Sequence, residues 1–187
     1  MTVTIDGTTG VSLVQDGVIT AADLAAGAIT SAALPAGSVL QVVNAVNNNY
    51  QEVSSTTYTD TATTASITPS STSSKILIIV HGTLTSIRAS ESIWANLRIY
   101  RNSTSNLVYV ADYFNNISAG TDAIGENKYA NSFSINHLDS PSSTSATSYT
   151  LQIATGTTSN SGRVRLSNST GGQNTNLSNI TLMEIAG

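Results

Sequence analysis

The segment KILIIVHGTL, residues 75–84, is the most apolar run of the chain and predicts a central β-strand. No polar residue interrupts it between Ile76 and Val80, which is typical of a strand buried on both faces at its start. The segment IWANLRIYR, residues 93–101, alternates instead, with apolar side chains at the odd positions up to 99 and tryptophan, asparagine, arginine and tyrosine at the even ones. Alternation with a period of two indicates a strand with one face on a core.

Weaker segments of the same kind occur on both sides of these two. We predict further strands over residues 39–46, 50–58, 65–68, 107–113, 130–138, 148–154, 162–166 and 179–185. Polar turns at 69–74 and 139–143 and a long loop over 114–128 separate them. Short strands at this spacing, without a long amphipathic helix, predict an all-β fold with a jelly-roll-like β-sandwich head over residues 39–187.

The composition separates the chain from most soluble enzymes. Of its 187 residues, 72 are Ser, Thr or Asn, and charged residues make up 10%, against about a quarter in an ordinary soluble domain. Apolar residues reach 40%, which is more than a disordered chain carries. A polar but uncharged surface over an apolar interior suits an extracellular or particle-borne β-protein.

Charge and cysteine content exclude several classes of function. The formal net charge is −4, whereas a general nucleic-acid binder carries a basic stripe for phosphate. The chain has no cysteine, which excludes disulfides and Cys-based zinc sites. No apolar run approaches the roughly 18 residues of a transmembrane helix. Residues 1–6 lack the basic and apolar regions of a signal peptide. We therefore expect that the protein does not insert into a membrane. We also expect that it leaves the cell by lysis, as part of a virus particle, and is not exported.

Residues 1–38 differ from the rest of the chain, since they contain no aromatic side chain, no Lys and no Arg. A decapeptide repeat runs through them, in which GVITAADL at 17–24 aligns with GAITSAAL at 27–34. Each copy holds one Ile and one Leu and predicts about one helical turn. Such a turn is too short to be stable alone in water.

We predict that residues 1–38 form an extended arm that winds around the arms of two identical chains. The Ile and Leu of both copies would then be buried at the three-fold axis. This trimer-interface set comprises Ile19, Leu24, Ile29 and Leu34. The alternative is a flexible Ala/Gly linker. Fully extended, the arm would span at most about 125 Å, at roughly 3.3 Å per residue.

No constellation of residues points to catalysis. His81 and His137 are the only histidines, and neither has a second ligand at metal-binding spacing. The G-x-S-x-G elbow, the P-loop, the dinucleotide fingerprint and the Asp-x-Asp-x-Asp calcium loop are absent. We therefore predict a protein that is not an enzyme and that holds no cofactor and no metal ion.

One predicted loop has the composition of a binding loop. Residues 112–121, DYFNNISAGT, place aromatic rings beside Asn, Ser and Gly, which supply contact area and adaptable hydrogen bonds. Tyr113, Asn115 and Asn116 are the candidate receptor-binding residues. The alternative is that Tyr113 ends a strand and closes the sandwich.

Several segments resemble tail-fibre-like proteins of cyanophages and other marine phages. The most distinctive is ITPSSTSSKIL at 67–77, together with the arm segment DGVITAADL at 16–24. Further matches are PAGSVLQVV at 35–43, LDSP at 138–141, YTLQ at 149–152 and NITLMEI at 179–185. The resemblance implies a trimer of jelly-roll-like heads, similar to the globular heads of complement and tumour-necrosis-factor-like proteins.

The resemblance also implies a structural virion protein on the surface of the phage particle. We predict a homotrimeric short tail fibre, whose arm docks on other virion proteins of the baseplate or tail and whose head contacts a host cell-surface polysaccharide. The alternative is a capsid decoration, cement or head-fibre protein. The small size and the missing shaft favour this alternative, whereas the arm repeats and the loop of aromatic and Asn residues favour host contact. A bacterial surface lectin would need an export signal, and a depolymerase tailspike would need paired carboxylates.

Overall fold

The fold is described from a computed structural model of the chain. The structure describes residues 29, 33–88, 94–102, 105–112, 127–166, 169–170, 173–174 and 177–187. The chain divides into two units, Met1–Pro35 and Ala36–Gly187, and the strands below belong to the second. No helix in the described part is long and apolar enough to cross a membrane.

The described residues form β-strands joined by turns, with one short 3-10 turn at Ser159–Ser161. The strands are β1 Val39–Asn47, β2 Gln51–Val53, β3 Thr59–Ile67, β4 Lys75–Arg88, β5 Ala95–Arg101, β6 Ser105–Asp112, β7 Asn127–Asp139, β8 Thr147–Thr155, β9 Arg163–Leu166, β10 Ser169–Thr170, β11 Gln173–Asn174 and β12 Ser178–Ile185. The predicted all-β fold is confirmed.

Two antiparallel sheets contain all of these strands except the short β10–β11 pair. In the first, sheet I, β4 pairs with β7 along one edge. Two strands share the other edge of β4, because β12 pairs with the first half of β4 and β9 pairs with its second half. Beyond them lie β1, next to β12, and β2, next to β9. The second, sheet II, has the order β3-β8-β5-β6.

The inner faces of the two sheets form one apolar core. Ile76, Ile78 and Val80 of β4 contribute from sheet I, and all three are fully buried. Leu97, Ile99, Leu151 and Ile153 contribute from sheet II, at 1% exposure or less, with Tyr149, Val164, Leu166, Ile180 and Leu182 around them. Each such aliphatic side chain stabilises the fold by about 1.5–3 kcal/mol.

The strand in the middle of sheet I changes neighbours at Gly82. Pairing with β12 ends at His81, opposite Asn179, and pairing with β9 begins at Leu84. A Cβ on Gly82 would lie 3.0 Å from the Ser178 Cβ and 3.1 Å from the Phe133 ring. Glycine interrupts the apolar run because residues of the strands β12 and β7 approach the β4 backbone closely at this point.

Four predicted strand boundaries were wrong. The strand predicted over residues 50–58 ends at Val53, the last residue of β2. The strand β3 begins at Thr59, six residues ahead of the predicted start at 65, because Thr61 and Thr63 occupy buried positions. The Thr61 hydroxyl donates to the Leu151 carbonyl at 2.7 Å, and the Thr63 and Ser178 hydroxyls are 2.6 Å apart. These partners allow polar residues to face the core. The strand β4 continues to Arg88, and β7 starts at Asn127, inside the predicted loop.

Glu184 is a fully buried carboxylate that joins β12 to β1 and to the turn before β4. Its Oε2 accepts from Gln41 Nε2 at 2.6 Å, and its Oε1 accepts from the Ser70 amide, the Ser70 hydroxyl and the Ser74 hydroxyl, each at 2.7 Å. Burial alone would raise the pKa of Glu184. The hydrogen bonds from Gln41, Ser70 and Ser74 outweigh burial, so that the pKa lies below its ordinary value of 4.5.

We expect the head to lose stability in acid, because a carboxylate whose pKa is lowered by folding stabilises the folded state only while it is ionised. The contribution of Glu184 is complete above about pH 4.5 and is lost as the pH falls through the lower pKa of the folded state. Urea unfolding between about pH 6 and about pH 3 should show a falling free energy of unfolding. The E184Q variant should show a shallower fall, and a fall as steep as in the wild type would contradict this role.

A second buried carboxylate, that of Asp139, joins sheet I to sheet II. Arg101 Nη1 donates to both carboxylate oxygens of Asp139, at 2.9 and 2.7 Å, and the Tyr149 hydroxyl donates to Oδ2 at 2.9 Å. Burial raises the pKa of Tyr149, and the hydrogen bond to the Asp139 carboxylate raises it further. Asp139, which we predicted in a turn, is the last residue of β7 and is held inside the sandwich.

Candidate assembly surface and binding face

The structure describes two of the predicted site residues. Ile29 and Leu34 of the arm are 58% and 39% exposed in the single chain. Ile19 and Leu24 of the same set lie outside the described residues, so their burial at a three-fold axis stays a prediction. Tyr113, Asn115 and Asn116 of the predicted binding loop also lie outside the described residues.

A row of four apolar side chains crosses the outer face of sheet I. Val42 of β1 lies opposite Met183 of β12, Met183 lies opposite Leu77 of β4, and Leu77 lies opposite Leu138 of β7. The residues beside them along each strand face the core, so these four face outward. Val42 is 56% exposed and Leu138 is 50% exposed, although both are large apolar residues. We call these four side chains the apolar row.

The surroundings of the apolar row carry few charges. The next outward positions along the four strands are Asn44, Thr181, Ile79 and Asn136, followed by Val46, Asn179, His81 and Ser134. Val39 and Val46, on the same strand as Val42, are 51% and 56% exposed. Exposed valines therefore continue along β1 on both sides of the apolar row, and large apolar side chains grouped on one face are typical of an interaction surface.

The outer face of sheet II has a different chemistry. Asp60 of β3, Gln152 of β8 and Arg98 of β5 lie opposite one another in a row across three strands. Arg98 Nε donates to Gln152 Oε1, and Gln152 Nε2 donates to Asp60 Oδ1. The Arg98 guanidinium carbon lies 4.1 Å from the centre of the Tyr58 ring and 4.8 Å from that of Tyr100. We call these five residues the arginine platform.

Sequence reasoning found only one strand of the arginine platform. The alternation over residues 93–101 predicted that Arg98 and Tyr100 share the face opposite the core, and this is confirmed. Asp60 and Gln152 were missed, because the pairing of β3 with β8 and of β8 with β5 is not encoded in any local pattern.

A second arginine cluster lies at the outer edge of sheet I. Glu52 Oε2 accepts from Arg165 Nε at 2.6 Å and from Arg163 Nε at 3.2 Å, and Tyr50 donates its hydroxyl to the same oxygen. Partial burial acts to raise the pKa of Glu52, but the hydrogen bonds from Arg165 and Tyr50 lower it below its ordinary value. Solvent-accessible pairs of this kind contribute about 0–1 kcal/mol.

No family model and no curated protein matches the chain. Among solved structures it is similar to a chain of the T13 particle of infectious bursal disease virus, with 14% identity and a TM-score of 0.36 over 78% of this chain and 36% of that one. A structure of the Gx strain of the same virus gives 14% identity and a TM-score of 0.31, over 78% and 38% of the two chains. The chain spans little more than a third of these viral chains. At TM-scores this low a shared fold is not established, so the function is inferred from the chain's own residues.

Proposed function

We propose that the chain is a structural protein of a phage particle, a homotrimeric short tail fibre that binds a polysaccharide on the host cell surface. The apolar row on the outer face of sheet I carries the proposal. Three chains that turn this half of sheet I toward a common axis would cover the row in each of them. The half-exposed side chains of Val42 and Leu138 would then leave water.

The arm also supports association of the chains, because it too carries exposed apolar side chains. Ile29 and Leu34 are exposed in the single chain, and Ile19 and Leu24 occupy the equivalent positions of the preceding repeat. Burying each such side chain stabilises an assembly by about 1.5–3 kcal/mol. The arm is proposed to join the trimer to other virion proteins of the tail or baseplate.

Host contact by such a fibre needs no catalytic step and no tight single site. Three heads on each fibre and several fibres on each particle raise the effective concentration of weak sites, so that avidity exceeds the affinity of one head by orders of magnitude. A head of low charge and high Ser, Thr and Asn content suits contacts with uncharged polar ligands.

Capsid decoration is the second candidate function, because the same apolar row and arm would also serve a trimer seated on a capsid. The two functions differ in copy number. Quantitative mass spectrometry of purified particles would count tens of chains per particle for a fibre and hundreds for a decoration protein.

The arm can be tested with the variant I19S/I29S/L34S. It removes three apolar side chains from each chain, so we expect the dissociation constant of the trimer to rise by at least about a thousandfold. Analytical ultracentrifugation of the full chain measures this. The matched control, I19V/I29V/L34I, keeps the arm apolar and should sediment as the wild type does. An unaltered trimer in the serine variant would show that the arm does not hold the assembly.

A further inference from the structure

The arginine platform holds unused hydrogen-bonding groups in a fixed arrangement. Arg98 uses Nε toward Gln152, while none of the described residues accepts a hydrogen bond from its Nη1 or Nη2. Asp60 uses Oδ1 toward Gln152, and none of the described residues donates to its Oδ2. A guanidinium edge on β5 and a carboxylate oxygen on β3 therefore face outward on the two sides of β8.

The arrangement is held before any ligand arrives. Gln152, only 6% exposed, lies on β8 in the interior of sheet II and binds Arg98 with its oxygen and Asp60 with its nitrogen. Tyr58 and Tyr100 lie within 4.8 Å of the guanidinium carbon and restrict its movement. Since these side chains are already ordered, a ligand loses less free energy to their ordering than it would on a flexible loop.

The chemistry of the arginine platform selects a class of ligand. A donor on one side of Gln152 and an acceptor on the other complement two separated hydroxyl groups of one saccharide, because each hydroxyl can both donate and accept. Tyrosine rings next to them offer apolar area to the C–H faces of a sugar ring. The Arg98 guanidinium attracts an acidic sugar, but the exposed Asp60 carboxylate in the same row repels it, so the arginine platform has no net charge that favours an acidic ligand.

We propose that the arginine platform on the outer face of sheet II binds neutral saccharides through two hydroxyl groups that span Gln152, with Arg98 donating to one and Asp60 accepting from the other. The class of ligand rests on the proposed function, whereas the site rests on the geometry of β3, β5 and β8. In the proposed trimer this face belongs to the sheet opposite the apolar row. One side of the head would therefore serve assembly and the other would serve binding.

The second arginine cluster provides a matched comparison. Arg165 also lies over a tyrosine, with its guanidinium carbon 5.6 Å from the centre of the Tyr50 ring. Its Nε is also engaged, by Glu52 at 2.6 Å, but Arg165 lies on β9 of sheet I and is not part of the arginine platform. R165Q should therefore leave saccharide binding unchanged, although it removes the same type of residue.

The test is a titration of the ¹⁵N-labelled full chain with methyl glycosides of glucose, galactose, mannose and glucuronic acid, followed by NMR. We expect at least one neutral glycoside to shift the Arg98 Nε–H and Gln152 side-chain amide signals in a saturable way. D60A, an exposed and conservative truncation, should weaken this binding about tenfold or more, and R165Q should not. Absence of shifts at these groups with every neutral glycoside, shifts with glucuronide alone, or equal binding by D60A would each overturn the proposal.

Sedimentation of the same samples separates this inference from the proposed function. A trimer whose Arg98 and Gln152 signals do not respond would overturn the saccharide site and leave the trimeric assembly standing. A monomer whose signals respond would uphold the saccharide site and overturn the fibre assembly.

Discussion

Replacing Met183 by glutamate is expected to dissociate the trimer into folded monomers. Met183 lies in the apolar row between Val42 and Leu77, on the outer face of sheet I. In the proposed trimer, glutamate there would place one carboxylate per chain in an apolar interface without a partner. Burying an unpaired charge costs several kcal/mol, so the dissociation constant should rise by at least about a thousandfold.

Two control variants separate this effect from misfolding and from charge alone. Met183→Leu keeps the row apolar and should leave the trimer intact. Thr150→Glu places the same charge on the outer face of sheet II and should also leave it intact. Circular dichroism would show that the Met183→Glu monomer retains its strands. If Met183→Glu sediments as the wild type does, the apolar row is not the interface.

The E184A variant is expected to lower the free energy of unfolding by about 3–5 kcal/mol. The substitution removes the carboxylate that accepts four hydrogen bonds. The donor groups of Gln41, Ser70 and Ser74 then lose this acceptor. Ser74 is 1% exposed, so water cannot readily replace the lost carboxylate. The turn before β4 and the last strand, β12, should both loosen.

Urea unfolding at neutral pH and one fixed protein concentration measures this loss, because the stability of an oligomer depends on concentration. E52A provides the matched control, since it removes a carboxylate with three hydrogen bonds from the partly exposed edge cluster. The loss in E52A should stay near 1 kcal/mol or below. A loss in E184A no greater than that in E52A would contradict the structural role of the buried carboxylate.

The strands with a clear apolar or alternating pattern, and the side chains of these strands that face the core, could be predicted from the sequence. The run at 75–84 is the centre of sheet I, and the alternation over 93–101 correctly separated the core face of β5 from its outer face. The same alternation also carried a signal for Glu184. It occupies the inward position after Ile180 and Leu182, and an acidic residue at such a position indicates a buried carboxylate with hydrogen-bond partners.

The two outer surfaces could not be predicted, because each is assembled by the register between strands. The apolar row draws single residues from β1, β4, β7 and β12, and no one of these residues stands out in its own segment. Asp60 and Gln152 meet Arg98 only through the pairing of β3, β8 and β5. Register depends on contacts distant in sequence, which a local pattern does not contain.

The mass of the full chain in solution tests the central claim most directly, since assembly through the apolar row and the arm underlies the proposed function. Sedimentation equilibrium at micromolar concentration should give three times the chain mass of 19.3 kDa. A single species of 19.3 kDa that persists as the concentration is raised would contradict the account.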